Sequence, residues 1–464
     1  MRYSKVSRVA LGELRSLFPD DEYVDDPDLL QPYGRDASTL FSLPEAVVKP
    51  RSVDQIVRLV KLAEKYHFPI TPRGMGTGLA GGAVPVCGGV VVSFEKMNRV
   101  LELDEENFLI RVEPGIVNGD VKIEVEKRGL FYPPDPASFE TCSIGGNVAT
   151  NAGGPRCVKY GTTRDYVLSL EAVLPSGDLV KTGARTRKSV VGYDMTGLIT
   201  GSEGTLAIIT SATLRLIHLP FPADTILALA PDLESAMMSV SGILGSRILP
   251  SVIEFMDGRC LELVKEPLPF RFEENAVALL VEIDDPPELR HGLLERLANI
   301  FEKHGVNEII LATDSAKRSS LWEIRRMISL TIERSHELYI PEDVVVPLAS
   351  IAAFVKELPF FEREYDLTIY TFGHAGDGNI HLNITASASL EKTRLEEGIR
   401  HILRRVVEFG GSISGEHGIG YVKKNYIDLE VSKRSLELQR GLKRLFDPKN
   451  ILNPGKIFHQ HDLE

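Results

Sequence analysis

Three clusters of glycine and other small residues in the first half restrict this chain more than any other feature. They are Pro72-Arg73-Gly74-Met75-Gly76-Thr77-Gly78-Leu79-Ala80-Gly81-Gly82, Cys142-Ser143-Ile144-Gly145-Gly146-Asn147-Val148-Ala149-Thr150-Asn151-Ala152-Gly153-Gly154, and Gly201-Ser202-Glu203-Gly204-Thr205-Leu206. Glycines add nothing to an apolar core. In succession they take positive φ, turn N–H groups inward and admit a diphosphate where no Cβ stands in the way. One such run alone is equally a set of tight turns; three in one half imply a large cofactor lying along bare backbone. The first cluster holds a literal G-x-G-x-x-G at Gly76–Gly81, with Glu95 roughly 20 residues on, the spacing of a nicotinamide-dinucleotide fingerprint. That fingerprint works only if a helix opens inside it. Ala83-Val84-Pro85-Val86-Cys87-Gly88-Gly89 cannot propagate one, so context excludes the Rossmann arrangement.

The second half carries Gly373-His374-Ala375-Gly376-Asp377-Gly378-Asn379-Ile380-His381 and, one helix later, Gly415-Glu416-His417-Gly418. Thr368–Phe372 reads as a strand, Asp377-Gly378 as a hairpin turn, and Ile380–Ile384 as the returning strand. Such a hairpin brings His374 and His381 together. Two imidazoles and the Glu416 carboxylate suffice to hold a divalent metal with a position left open, and His417 then offers a base. Imidazole with carboxylate suits zinc, manganese or iron(II).

Size and charge bound the rest. A chain of 464 residues with 43% apolar content holds two or three globular domains. A net charge of −12, with basic residues scattered among acids, argues against a nucleic-acid surface. The four cysteines, Cys87, Cys142, Cys157 and Cys260, form no Cys-x-x-Cys pair, so no iron–sulfur cluster is encoded. The uncharged run Gly74–Phe94 is long enough to span a bilayer, but its glycines and Pro85 rule out a spanning helix. The N-terminus leads into an amphipathic helix without a signal-peptide core. The expected location is cytoplasmic, peripheral to a membrane only through a partner.

Taken in order, the first loop, Pro134-Asp135-Pro136-Ala137-Ser138, Ile144-Gly145-Gly146-Asn147, Asn151-Ala152-Gly153-Gly154, Gly201–Leu206, the two histidine motifs and Asn453-Pro454-Gly455-Lys456 resemble the FAD-linked oxidases of the vanillyl-alcohol oxidase superfamily. Within it they are similar to the branch of D-lactate dehydrogenases, glycolate oxidase catalytic subunits and D-2-hydroxyglutarate dehydrogenases. The resemblance implies an enzyme that oxidises a small 2-hydroxy acid, D-lactate or glycolate, passing hydride to flavin N5. It places FAD against Pro72, Arg73, Gly74, Met75, Gly76, Thr77, Gly78, Leu79, Gly81 and Gly82; against Pro134, Asp135, Cys142, Ser143, Gly145, Gly146, Asn147, Asn151, Gly153, Gly154, Tyr160 and Gly161; and against Glu203, Gly204, Thr205, Ile208 and Asn453. It makes His374, His381 and Glu416 the metal ligands and His417 the base. Arg325, in Leu321-Trp322-Glu323-Ile324-Arg325, would pair with the substrate carboxylate, with Ser329 one turn on and Asn379 also at the substrate; Arg326 would face solvent. Two departures matter. Pro341-Glu342-Asp343 stands where some relatives carry a lysine, which disfavours a dicarboxylate substrate. No histidine lies in the first glycine loop, so the flavin is expected to be non-covalent.

The implied architecture is α+β: an N-terminal helical segment (1–40), a two-part FAD-binding domain (41–220), an antiparallel-sheet cap with helices on one face carrying the metal site (221–418), and a C-terminal segment (419–464) returning to the FAD domain. Electrons would leave to a quinone, a cytochrome or a separate iron–sulfur protein, and a homodimer is the default assembly. Two other readings stay open: a flavin-dependent transferase resembling alkylglycerone-phosphate synthase, and a non-catalytic FAD-binding electron-transfer subunit.

Overall fold

The computed structural model describes residues 3, 5–266, 268, 271–306 and 308–463. Contacts divide the chain into two compact units. The first runs to Gly153, resumes over Thr162–Leu219 and again from Glu416; the second comprises Gly154–Gly161 and Pro220–Gly415.

In the first unit, β1 (Tyr23–Val24), β2 (Ala46–Val48), β3 (Ile70–Arg73) and β4 (Val90–Ser93) stand in the order β1-β2-β4-β3, with β2 and β3 parallel to β4. Parallel neighbours need a crossover, and the helix Val53–Tyr66 supplies it. Ser52 caps that helix by accepting from Gln55 N, and Ile56, Leu59, Val60 and Ala63 recur at helical spacing on its buried face. They pack with Val90 and Val92. Residues 74–89, between β3 and β4, contain no helix, so none opens inside the glycine motif, and Glu95 is bound to Lys49 at 2.5 Å.

Then come β5 (Val100–Asp104), β6 (Leu109–Val112), β7 (Leu130–Phe131), β8 (Val167–Val173), β9 (Leu179–Gly183), β10 (Ile208–Arg215) and β11 (Ile217–His218). Five of these form an antiparallel sheet in the order β5-β6-β10-β8-β9, and β7 pairs with β11. The C-terminal segment closes the unit: Ile70 N donates to Ile451 O and Asn453 N to Ile70 O, each at 2.7 Å, while Ile451 and Leu452 join the core.

The second unit is one seven-stranded antiparallel sheet of β12 (Asp224–Ala230), β13 (Val252–Met256), β14 (Val277–Ile283), β15 (Glu308–Ala312), β16 (Leu338–Val345), β17 (Thr368–His374) and β18 (Asn379–Ala386). The order is β15-β12-β14-β13-β17-β18-β16. One face, with Leu227, Met256, Leu280 and Phe372, packs on Leu321, Ile324, Ile328 and Ile332 of the helix Ser315–Ser335. The alternate positions Ile253, Phe255, Leu279 and Val281 are also fully buried, and the helices Leu233–Gly245 and Ile351–Tyr365 lie against the strands as well. Helices therefore cover both faces, not one as expected. The unbroken apolar run Val277-Ala278-Leu279-Leu280-Val281 is the sequence signature of that double burial.

The short stretch Gly154–Gly161 packs in the second unit rather than with the glycine cluster that precedes it. Lys159 Nζ meets Asp284 Oδ1 at 2.5 Å, the Tyr160 hydroxyl bonds the same carboxylate, and Arg156 reaches Glu282 at 3.5 Å. Among the described residues no helix is long and apolar enough to cross a membrane.

Candidate active site

Within the first unit the glycine loops line one cleft, which also includes Phe94, Pro114, Ala207, Ile209, Glu416 and His417. Ser143 caps the helix Ile144–Thr150 by accepting from Gly146 N, holding the second loop against the first: a Cβ on Gly74 would lie 2.1 Å from Ser143 Oγ. At Gly153 a Cβ would meet the Glu416 side chain at 3.1 Å, so the third member of the expected ligand set lies beside the second glycine cluster. Glu203, at φ 53°, accepts from Ile419 N at 2.8 Å and Gly420 N at 2.7 Å. Burial pushes its carboxyl up despite those bonds. The residues fit a dinucleotide on one further observation: Asn147, 4% exposed, has its Nδ2 donor buried in the cleft wall with no hydrogen-bond partner.

Of the residues the sequence assigns to the flavin, Pro72, Arg73, Gly74, Met75, Gly76, Thr77, Gly78, Leu79, Gly82, Cys142, Ser143, Gly145, Gly146, Asn147, Gly153, Glu203 and Gly204 line the cleft. Arg73 does so with its guanidinium committed to Arg35 O at 2.5 Å and Pro32 O at 3.1 Å. Gly81, Pro134, Asp135, Asn151, Thr205, Ile208 and Asn453 are not part of the lining. The reasons are local. Ile208 points into the core with Val173, and its strand neighbours Ala207 and Ile209 take the cleft side, a consequence of period-two alternation. Asn151 Oδ1 accepts from Thr162 Oγ1 and Arg164 N. Asn453 Nδ2 donates to Gly82 O and Glu203 O, bracing two cleft loops from behind. Gly154, Tyr160 and Gly161 belong to the second unit.

In the second unit the β17–β18 hairpin pairs His374 with Asn379 and Phe372 with His381, so His374, Asn379 and His381 share one face. The two Nε2 atoms are 3.4 Å apart and the rings perpendicular. Two imidazoles bound at 2.0–2.1 Å to a tetrahedral ion stand about 3.3–3.4 Å apart, so the pair fits a single cation. On β13, Glu254 is paired in register with His374 and bonds its Nδ1. Its other oxygen accepts from Arg325 Nε at 2.7 Å. Burial pushes the Glu254 carboxyl up, and the neighbouring His374 and Arg325 more than reverse this, leaving it below the ordinary range. On β16, fully buried Asp343 lies with Oδ1 4.0 Å from His381 Nδ1, and its Oδ2 accepts from Gly415 N at 2.8 Å. Gly415 must be glycine, because a Cβ would fall 1.8 Å from Asn379 Oδ1.

Arg325 is 9% exposed and stacks its Cζ 4.1 Å over the Phe372 ring. Its terminal nitrogens have no hydrogen-bond partner among the described residues. Asn379, 3% exposed, likewise has both amide atoms without partners. Ser329 is half-buried one turn beyond Arg325, and Arg326 is exposed. Sequence reasoning passed over Glu254 and read Asp343 only as part of a segment that disfavours a dicarboxylate, not as a neighbour of His381. A single acid inside the apolar strand Val252-Ile253-Glu254-Phe255-Met256 was the available signal.

Residues 44–183 match the family described as "FAD binding domain", and residues 219–457 match "FAD linked oxidases, C-terminal domain". The chain is 41% identical to glycolate oxidase subunit GlcD of Bacillus subtilis (strain 168) over 92% of each chain. It is 35% identical to a D-lactate dehydrogenase of Anaerostipes hadrus over 99% of each. Among solved structures, alkyldihydroxyacetonephosphate synthase aligns with a TM-score of 0.76 at 21% identity, over 98% of this chain and 86% of that one. p-Cresol methylhydroxylase aligns with a TM-score of 0.76 at 17% identity, over 98% of both. These two establish the fold alone. The chain belongs to the FAD-linked oxidase family. It is an α+β flavoprotein oxidoreductase with an FAD-binding domain and an antiparallel-sheet cap domain, and it shares its fold with those two solved structures.

Proposed function

We propose that this enzyme oxidises a small 2-hydroxy acid, glycolate or D-lactate, to the corresponding 2-oxo acid. The observation that carries this reading is Arg325, a buried guanidinium with both terminal nitrogens unpartnered, on the face that holds two histidines at a cation-binding separation. A buried cation of that kind calls for a planar anion, and a carboxylate accepts its fork in two parallel bonds. The names of the relatives at 35–41% identity point the same way.

In this reading His374 and His381, joined by Glu416, hold a divalent cation (zinc, manganese or iron), and His417 is the base. When bound, the cation would supply Lewis acidity that makes the substrate hydroxyl easier to deprotonate, and the flavin would supply the two-electron hydride acceptor. The chain's own part is to orient and deprotonate. Arg325 fixes the carboxylate, Asn379 and Ser329 offer polar groups beside it, and His417 takes the hydroxyl proton. β16 presents Pro341 and Asp343 to this face, paired with Asn383 and His381; an acid there repels a second substrate carboxylate, which favours a small monocarboxylate. FAD is held without a covalent bond, and a quinone, a cytochrome or a separate iron–sulfur protein takes the electrons onward.

An anaerobic flavin-bleaching screen over D- and L-2-hydroxy acids, with metal analysis of the same sample, tests this. Bleaching by D-lactate or glycolate with about one divalent ion per flavin is expected. A flavin untouched by every 2-hydroxy acid would move the enzyme towards the transferase reading.

A further inference from the structure

The histidine pair and the buried arginine share one neighbour. Glu254 is 1% exposed, sits opposite His374 in the β13–β17 register, and divides its two oxygens between His374 Nδ1 and Arg325 Nε. We propose that Glu254 is a positioning residue that sets the cation-binding nitrogen of His374 and the carboxylate-binding fork of Arg325 at once. The inference rests on the assignment of those two residues made above.

The chemistry is specific to a carboxylate. Ionised, it only accepts. His374 must therefore place its hydrogen on Nδ1, which leaves the lone pair on Nε2, the atom 3.4 Å from His381 Nε2. The same requirement holds for the arginine. Nε carries one hydrogen in the guanidinium plane, so the bond to Glu254 fixes the rotation of that plane, and the Phe372 ring against its flat face supplies the second restraint. The terminal nitrogens are then aimed without any contact of their own. Because one rigid group on a central strand holds both partners, the distance between cation and carboxylate sites is set by the width of a single carboxylate, as a chelating 2-hydroxy acid requires. Second-sphere acids on metal-bound histidines act in this way.

Glutamine is the informative replacement, because it has the same shape but accepts on only one side. If its oxygen faces His374, its amide confronts the Arg325 N–H; if it is turned, the amide drives the His374 hydrogen to Nε2. One of the two sites must suffer. The test uses FAD-loaded enzyme stripped of metal and titrated with zinc chloride against a chromophoric chelator, together with the D-lactate or glycolate Kd from anaerobic flavin bleaching. Glu254→Gln is expected to weaken zinc binding 10- to 100-fold or raise the substrate Kd at least tenfold, with flavin content and Tm kept. Glu254→Asp, which retains two acceptors, recovers part of the loss. Wild-type values for both constants in a folded Glu254→Gln enzyme overturn the proposal. Nitrogen-15 correlation spectra of histidine-labelled wild-type enzyme decide the matter without any variant: His374 is expected as the Nδ1–H tautomer, and an Nε2–H tautomer overturns it. Failure of the underlying assignment looks different, since wild-type enzyme would then bind no zinc and Arg325→Met would leave the substrate Kd unchanged.

Discussion

Replacing Arg325 by lysine keeps a positive charge and removes the fork, which makes it the sharpest probe of the substrate site. The guanidinium uses Nε for Glu254 at 2.7 Å and holds both terminal nitrogens in reserve. Lysine has one nitrogen, and Glu254 competes for it, so the substrate carboxylate falls from two charge-assisted bonds to one. A hydrogen bond to a charged group contributes about 1.5–3 kcal/mol. At about 1.4 kcal/mol per decade, Arg325→Lys should raise the substrate Kd roughly 10- to 150-fold. Arg325→Met, which removes both bonds, should raise it about 10²- to 10⁴-fold by the same arithmetic. Anaerobic stopped-flow spectroscopy separates the Kd, read from the concentration dependence of flavin bleaching, from the limiting rate of reduction. Both variants should keep their flavin, because Arg325 belongs to the second unit and the glycine-lined cleft to the first. If both variants bind D-lactate and glycolate within threefold of wild type, the carboxylate is held elsewhere and the argument from the unpartnered guanidinium fails.

Three further outcomes are expected. Gly415→Ala, whose methyl would lie 1.8 Å from Asn379 Oδ1 and 2.8 Å from Val345 Cγ2, should cost about 1–3 kcal/mol because those buried strand atoms must move; calorimetry should place its Tm below that of Gly292→Ala, where nothing lies within 4 Å. Acid precipitation should leave the yellow colour in the supernatant, since the first glycine loop has no histidine to tether the flavin; colour in the pellet contradicts this. Burial pushes the Lys456 ammonium down to about 8 from 10.5, so between those values the folded protein has shed a proton that the unfolded chain still carries. Wild type should therefore gain stability relative to Lys456→Met as pH rises through that window, with the burial penalty fully present below it. Urea midpoints at pH 7.5, 9 and 10 check this, and a difference that does not change with pH counts against it.

What could be read from the sequence was whatever local chemistry determines. The Asp377-Gly378 turn and the alternation after it predict a hairpin that brings His374 and His381 together, and the structure has Gly378 at φ 89° and the two strands paired. The helix Val53–Tyr66 is of the same local kind, opened by Ser52, which accepts from Gln55 N. Features that depend on distant partners were hidden. Nothing in Arg156, Lys159 or Tyr160 announces that Asp284 and Glu282, more than a hundred residues on, draw that stretch into the second unit. Ile208 rather than Ile209 faces that core because it stands opposite Val173 in the β8–β10 pairing, a register set by a strand more than thirty residues away. Glu254 stood out only as a lone acid in an apolar strand, and its meaning comes from a histidine and an arginine that other elements bring to it.

The backbone bridge from Ile70 to Ile451 and Asn453 has a consequence for how the protein is made. During synthesis on the ribosome, the edge of the first small sheet waits for residues more than 380 positions downstream, and Glu416 and His417 of the cleft wall emerge scarcely earlier. The second unit, mostly contiguous in the chain, has all its strands in hand before that. Flavin loading is therefore a late, largely post-translational event, and nascent chains halted short of Ile451 should capture no FAD.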